Sequence, residues 1–404
     1  MGKFIWIALL FFVLGCSKTI PVWSIVNDNQ LERREAINTG ENHCYENLSY
    51  APDSNYYTQI IRVNIHFMDD SSMTKNFSME AGKKYVRSLI YNANERLRQN
   101  HKMNLPVGNK TPALFPYFQY KITPSTNEPG DDGFYRHLDN DDYYFLNKGR
   151  YRNNYSKTII KKYAINADSI LNIFILPHHP DSVKSKTYSP TATGIAIGTS
   201  LKMAGLYERK DKPWTCATLL NHEIGHILGL PHSWLRHDGC DDTPEHPNCW
   251  EPKPEGKCAG VVSNNMMDYN NSQMAITPCQ LGIIHKGFAR ERSKTRKLIE
   301  KQWCTLDTTK TITISDTVQW FGARDLKHNI TITKSGRLEV YCRLSLPKGG
   351  SIYIEDGGKL ALHNAKLHND CGDTWAGLLI QKMEAAATAV EFYGKSSLED
   401  VSQD

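Results

Sequence analysis

The chain has 404 residues, with 48 Lys or Arg against 43 Asp or Glu and a formal net charge of +5. That length allows two or three domains, and 40% hydrophobic residues supply at least one sizeable core. The basic residues are spread along the chain without a block, which excludes the electrostatic footprint of a nucleic-acid-binding protein.

The N-terminus, "MGKFIWIALLFFVLGCSK", carries an apolar run from Phe4 to Leu14, too short to span a bilayer but suited to an export signal. Its end, "VLGCSK", resembles a bacterial lipobox, which would make Cys16 the lipidated first residue of the mature protein. A conventional secretion signal cut near residue 20 is the alternative. Either reading takes the chain out of the cytoplasm, to a bacterial cell surface or outer membrane through a lipid anchor, or into the medium. Residues 1–16 are therefore assigned to the signal, and the polar residues 17–55 to a tether or short pro-segment. Export makes the ten cysteines candidates for disulfides. With Cys16 lipidated, nine remain, so at least one thiol stays free or is engaged elsewhere.

From residue 56 to 304 the pattern is that of an α+β domain. "IIRVNIHFM" alternates Ile61, Val63, Ile65 and Phe67 with Arg62, Asn64 and His66, which predicts a half-buried strand. In the next segment Val86, Leu89, Ile90, Ala93 and Leu97 form one helical stripe. "YFQYKI" and "SILNIFIL" read as strands, the second apolar enough to be buried. Residues 128–150 between them form an acidic, tyrosine-rich insertion without a clear period. "TATGIAIGTS" predicts a short strand edged by glycines. A further helix starts at "TPCQ", where Thr277 suits the N-cap and Pro278 the first helical position.

Residues 305–404 differ in character. "NITITKSGRLEVYCRLSLP" aligns without gaps to "SIYIEDGGKLALHNAKLHN" at an offset of 22, matching Ile330 to Ile352, Gly336 to Gly358 and Leu338 to Leu360. Short alternating strands punctuated by glycine at that period predict a short β-solenoid, with degenerate turns in "TITISDTVQWF" and "WAGLLIQKM". A small β-sandwich is the alternative, no polar capping repeat is evident, and any ligand of this region is unreadable.

The stretch "NHEIGHILGLPHSW" concentrates the chemistry. His222 and His226, four apart on a helix, share a face and can hold one ion, while Glu223 is turned about 100° toward a bound water. Gly229 can end the helix in a left-handed conformation, and His232 returns from the following loop as a third nitrogen ligand. Three neutral histidines with open positions describe a catalytic zinc site rather than a structural one.

This motif resembles the zinc helix of the metzincin metalloproteases, and "SNNMMDYN" resembles their Met-turn. The form of that turn, with "GCDDTP" and "TPCQ", is similar to the pappalysin family in particular; the resemblance covers roughly residues 45 to 304. It implies a metzincin-like domain with a mixed twisted sheet and long helices, cutting protein or peptide substrates. It further implies Met267 beneath the zinc ligands and Tyr269 near the zinc, steadying the transition state. Disulfides Cys240–Cys258 and Cys249–Cys279 are also implied, although the residues alone permit three pairings. Some family members bind calcium in this loop, where Asp238, Asp241 and Asp242 gather oxygens; a solvated acidic loop is the alternative. Some are held latent by a cysteine thiolate on the zinc, and Cys44 is placed for such a switch, unless it forms a disulfide, for instance with Cys304. The expectation is a zinc endopeptidase with Glu223 as general base; its rivals are a surface adhesin with a vestigial site and a zinc hydrolase of a non-peptide substrate.

Overall fold

The computed structural model describes residues 23–25, 33–34, 43–125, 128–186, 191–210, 212–381 and 389–402. Cys16 and the signal assigned to residues 1–16 lie outside them. Among the described residues, no helix is long and apolar enough to cross a membrane.

The first part is built on a six-stranded sheet of mostly parallel strands. Strand β1 (Gln59–Asp69) leads into helix α1 (Met79–Arg98), whose N-cap Ser78 accepts the Ala81 N–H. β2 (Phe118–Ile122) and β3 (Phe134–Leu138) pair in succession along one side of β1, and β4 (Leu171–Leu176) pairs along the other. β5 (Thr193–Ile197) and β6 (Ser200–Ala204) complete the sheet as β4-β6-β5, with β5 the antiparallel edge strand. Helices α2 (Ala217–Ile227) and α3 (Pro278–Ala289) follow; α3 opens with a reciprocal cap between Thr277 and Gln280.

Ile61, Val63, Ile65, Phe67, Leu171, Ile173, Leu201 and Met203 share one core with α1 and α2. The half-buried expectation for β1 is corrected on its second face, where Asn64 and His66 are fully buried. There His66 Nε2 meets Asn64 Oδ1 at 3.0 Å and Asn172 Oδ1 at 2.9 Å, and its Nδ1 meets His137 Nε2 at 2.8 Å. Hydrogen bonding permits such burial. The cover comes from the acidic insertion and the residues after it. Its first half is β3 itself, and Tyr143, Phe145 and Ile159 pack on Met68, Phe174 and Leu176. "TATGIAIGTS" likewise forms a tight hairpin rather than one strand, because Gly198, at φ +63°, lets the chain reverse.

The C-terminal region is all β. Four successive turns of chain each place one strand in each of three parallel sheets. The first sheet takes Thr311–Ile314, Asn329–Ile332, Ser351–Ile354 and Gly377–Gln381. The second takes Thr317–Trp320, Arg337–Val340, Lys359–His363 and Val390–Tyr393. The third takes Arg324–Asp325, Leu344–Ser345, Lys366–His368 and Ser397–Leu398. Residues matched at the 22-residue offset stand opposite one another: Ile330 faces Ile352, and Leu338 faces Leu360. Their side chains form a separate core.

The tether expectation for residues 17–55 is corrected. Trp23–Ile25 pairs antiparallel with Gly377–Gln381, and Arg33–Arg34 pairs with the strand Val390–Tyr393. These two short strands cover the edge of the last turn. Cys44–Cys342 and Cys304–Cys371 tie the stack covalently to the first part. Arg324 pairs with Asp53 at 2.6 Å, while Asp325 accepts from both Arg296 and Arg343.

Candidate metal centre

Helix α2 brings the motif together as its periodicity requires. His222 is buried, and its Nδ1 donates to the Met266 carbonyl at 2.9 Å. The His226 Nδ1 donates to the Leu230 carbonyl at 2.8 Å. With protons held on Nδ1, the Nε2 lone pairs point inward. The Nε2 of His226 lies 3.2 Å from that of His222 and 3.2 Å from that of His232. Ligands about 2.0–2.1 Å from a tetrahedral ion are separated by about 3.3 Å, so the three nitrogens fit one zinc-sized ion. Burial lowers the pKa of His222 and His232 to about 4 and depresses that of His226, which keeps all three rings neutral near pH 7. Gly229, at φ +101°, turns the chain so that His232 can return to the helix.

Glu223 is placed by the edge strand. In the β5–β6 register, Gly194 and Ala196 face Met203 and Leu201, on the sheet face that receives α2. The Ala196 N–H donates to Glu223 Oε2 at 3.0 Å, and a methyl group on Gly194 would stand 2.6 Å from Glu223 Cγ. Burial pushes the Glu223 carboxyl up to about 7, opposed by the Ala196 hydrogen bond. A carboxyl group near that value can both accept and release a proton at neutral pH.

Met267 is fully buried beneath α2, and its position explains Gly225. A Cβ there would meet Met267 Sδ at 2.5 Å, so only glycine lets helix and turn approach this closely. Asn265 Oδ1 accepts the Met267 N–H at 2.9 Å, and Asp268 is buried below the turn. Asp268 accepts from Ser233 at 2.6 Å, from His246 at 2.9 Å and from Ser263, joining the residue after His232 to the turn and to the cysteine loop. Burial alone would raise the Asp268 pKa, but these three donors hold it below the ordinary value. Tyr269 is 51% exposed, with its ring 5.1 Å from His232, 5.6 Å from His222 and 4.8 Å from Trp234. Burial, followed by the Glu223 charge, raises its pKa, so the phenol keeps its proton.

Asp268 stands in the turn motif without a role of its own there, while Gly194, Ala196, Gly225, Ser233 and His246 carry no spacing signal. The "GIAIG" glycines were the one available hint, for Gly194.

The cysteines correct two expectations. The bonds are Cys240–Cys279 and Cys249–Cys258, nested rather than overlapping, since the loop folds Cys258 back on Cys249 and brings Cys240 to the start of α3. Cys44 is bonded to Cys342, and Cys304, its suggested partner, to Cys371; a thiolate switch at Cys44 is therefore unavailable. Among the described residues one cysteine, Cys216, is free and buried. Asp238 accepts from the Cys240 N–H and the Thr243 hydroxyl, and Asp242 from the Thr277 hydroxyl and the Cys279 N–H. These carboxylates brace the loop.

No protein-family model and no curated protein matches the sequence. Among solved structures, the chain is similar to mirolysin in complex with compound 9, at 19% identity over 60% of this chain and 96% of that one, with a TM-score of 0.43. It is also similar to mature mirolysin of Tannerella forsythia with a cleaved peptide, at 19% identity, 61% and 96% coverage and a TM-score of 0.42. A promirolysin mutant from that organism matches at 16% identity, 62% and 87% coverage and a TM-score of 0.41.

Proposed function

We propose that this chain is a zinc-dependent endopeptidase of the metzincin type, pappalysin-like in its motifs. One observation carries the reading: three Nε2 atoms converge at zinc spacing beside a buried carboxylate anchored to an open sheet edge. His222, His226 and His232 would hold the ion, which when bound polarises a carbonyl and acidifies a water. Glu223 takes the proton from that water and delivers it to the departing amine nitrogen. The Ala196 N–H keeps the carboxylate in place through both transfers. Among the described residues β5 pairs with β6 alone, so an extended peptide can pair along its other side and run past Glu223. The protonated Tyr269 phenol stands by to donate to the oxygen on which charge develops. This division of labour separates ligands from base, and so yields a test. Glu223→Gln should keep the zinc held by the three histidines and lose at least about 10²-fold in peptide cleavage. Cleavage of a mixed peptide library should also vanish with a zinc chelator. A Gln variant of undiminished activity would refute the role.

In the same proposal, the C-terminal stack is a short β-solenoid held rigidly to the catalytic part, its ligand unassigned. The chain is exported and anchored through lipid on Cys16.

A further inference from the structure

A second set of metal-ligating side chains occupies a different part of the fold, where the first part meets the stack. Glu291 follows α3, His368 ends a strand of the third sheet, and Asp370 lies two residues beyond it. A ring nitrogen of His368 and carboxylate oxygens of Glu291 and Asp370 all lie within 4.8 Å of one another. Carboxylates gathered near a surface carry little weight alone, but the histidine changes the case. His368 is only 5% exposed, and its Nε2 is buried without a hydrogen-bond partner. An imidazole nitrogen is rarely left so without a ligand of some kind.

The surrounding charges bear on what that ligand can be. Arg296 contacts Asp370 through Oδ2, leaving Oδ1 for another partner. The Arg343 Nε is 3.7 Å from Glu291 Oε1, too long for a hydrogen bond. Around His368 stand the carboxylates of Glu291, Asp370 and Glu399 and the cations Arg343 and Lys366, with Arg296 held on Asp370.

We propose that Glu291, His368 and Asp370 form a second divalent-metal site, selective for zinc-class ions. One imidazole nitrogen with two carboxylates suits such ions, whereas calcium and magnesium take oxygen shells. The Glu291 side chain is 53% exposed and free to swing onto the ion, while His368 is held by the sheet and Asp370 by its contact with Arg296. The ion would clip the end of α3 to the stack beside the Cys304–Cys371 bond, so that its binding stabilises the junction.

The test counts metal. The full chain is equilibrated with zinc, desalted and assayed for zinc per chain, alongside His226→Ala, His368→Ala and the double variant. Two, one, one and none are expected. Zinc should also raise the melting temperature of His226→Ala but not of the double variant. A wild-type count of one that His226→Ala abolishes would overturn the proposal. A count that falls with His368→Ala but not with His226→Ala would instead sink the triad reading and leave this one standing. Should His368→Ala fail to fold, Glu291→Gln replaces an exposed side chain and should weaken zinc binding at this site at least tenfold. Unchanged affinity there would equally overturn the proposal.

Discussion

Gly194→Ala isolates the coupling between the edge strand and the proposed base. Gly194 is not in the left-handed region, so alanine brings no backbone strain; its effect is one methyl group. That methyl would lie 2.6 Å from Glu223 Cγ and 3.1 Å from Cδ and Oε1. Carbon atoms in contact prefer about 3.5–4.0 Å, so the carboxylate has to retreat by about 1 Å. The retreat breaks the 3.0 Å bond from the Ala196 N–H, a charge-assisted bond of about 1.5–3 kcal/mol. A misplacement of about 1 Å costs roughly 10²-fold in rate, or about 2.7 kcal/mol at the barrier. The two estimates agree, and both fall on turnover. Zinc should stay at one per chain at the triad, because the ligands hang from the Met266 and Leu230 carbonyls rather than from Gly194. The assay is kcat/KM on a cleaved peptide with zinc content measured in parallel. A Gly194→Ala enzyme within twofold of wild type, with zinc intact, would show that the carboxylate does not work from this position.

Further predictions concern stability. Gly225→Ala forces a methyl into Met267 Sδ and should destabilise by about 1–3 kcal/mol by overpacking, read from denaturant unfolding; an unchanged midpoint would deny the close approach of turn and helix. Replacing Cys304 and Cys371 by Ser opens a loop of 67 residues and should cost about 4 kcal/mol, seen as earlier unfolding of the stack. Burial first lowers the His66 pKa to about 3 and that of His137 to about 4, so between those values and about 6.5 the unfolded chain binds more protons than the folded one. Stability from these rings is therefore complete above about pH 6.5 and is lost progressively as pH falls toward 3. Melting temperatures across that range should drop, and His137→Phe should flatten the slope; an unaltered slope contradicts the assignment.

Much of the site was legible because its information is local. Helical periodicity alone places His222 and His226 on one face and turns Glu223 aside, and Gly229 with Pro231 marks the return of His232. The Thr277 cap and the 22-residue offset are of the same kind, since a cap spans three residues and stacked turns repeat side chains in register. What the spacing does not contain is which distant segments meet. Cys240 takes Cys279 and not Cys258 because the loop folds back between them, and ten cysteines of one type cannot encode that choice. Polar residues at alternate positions of β1 read as solvent-facing until the insertion lies over them and Asn172 arrives to bond His66. A glycine reads as a turn until Glu223 or Met267 is found where its side chain would be. The short-range geometry of metal ligands follows from bond rotation along one helix and was written in the sequence. The anchor of Glu223 on β5, the support under the three histidines and the cover on the stack arise only when segments tens of residues apart pack, and the tertiary structure alone decided them.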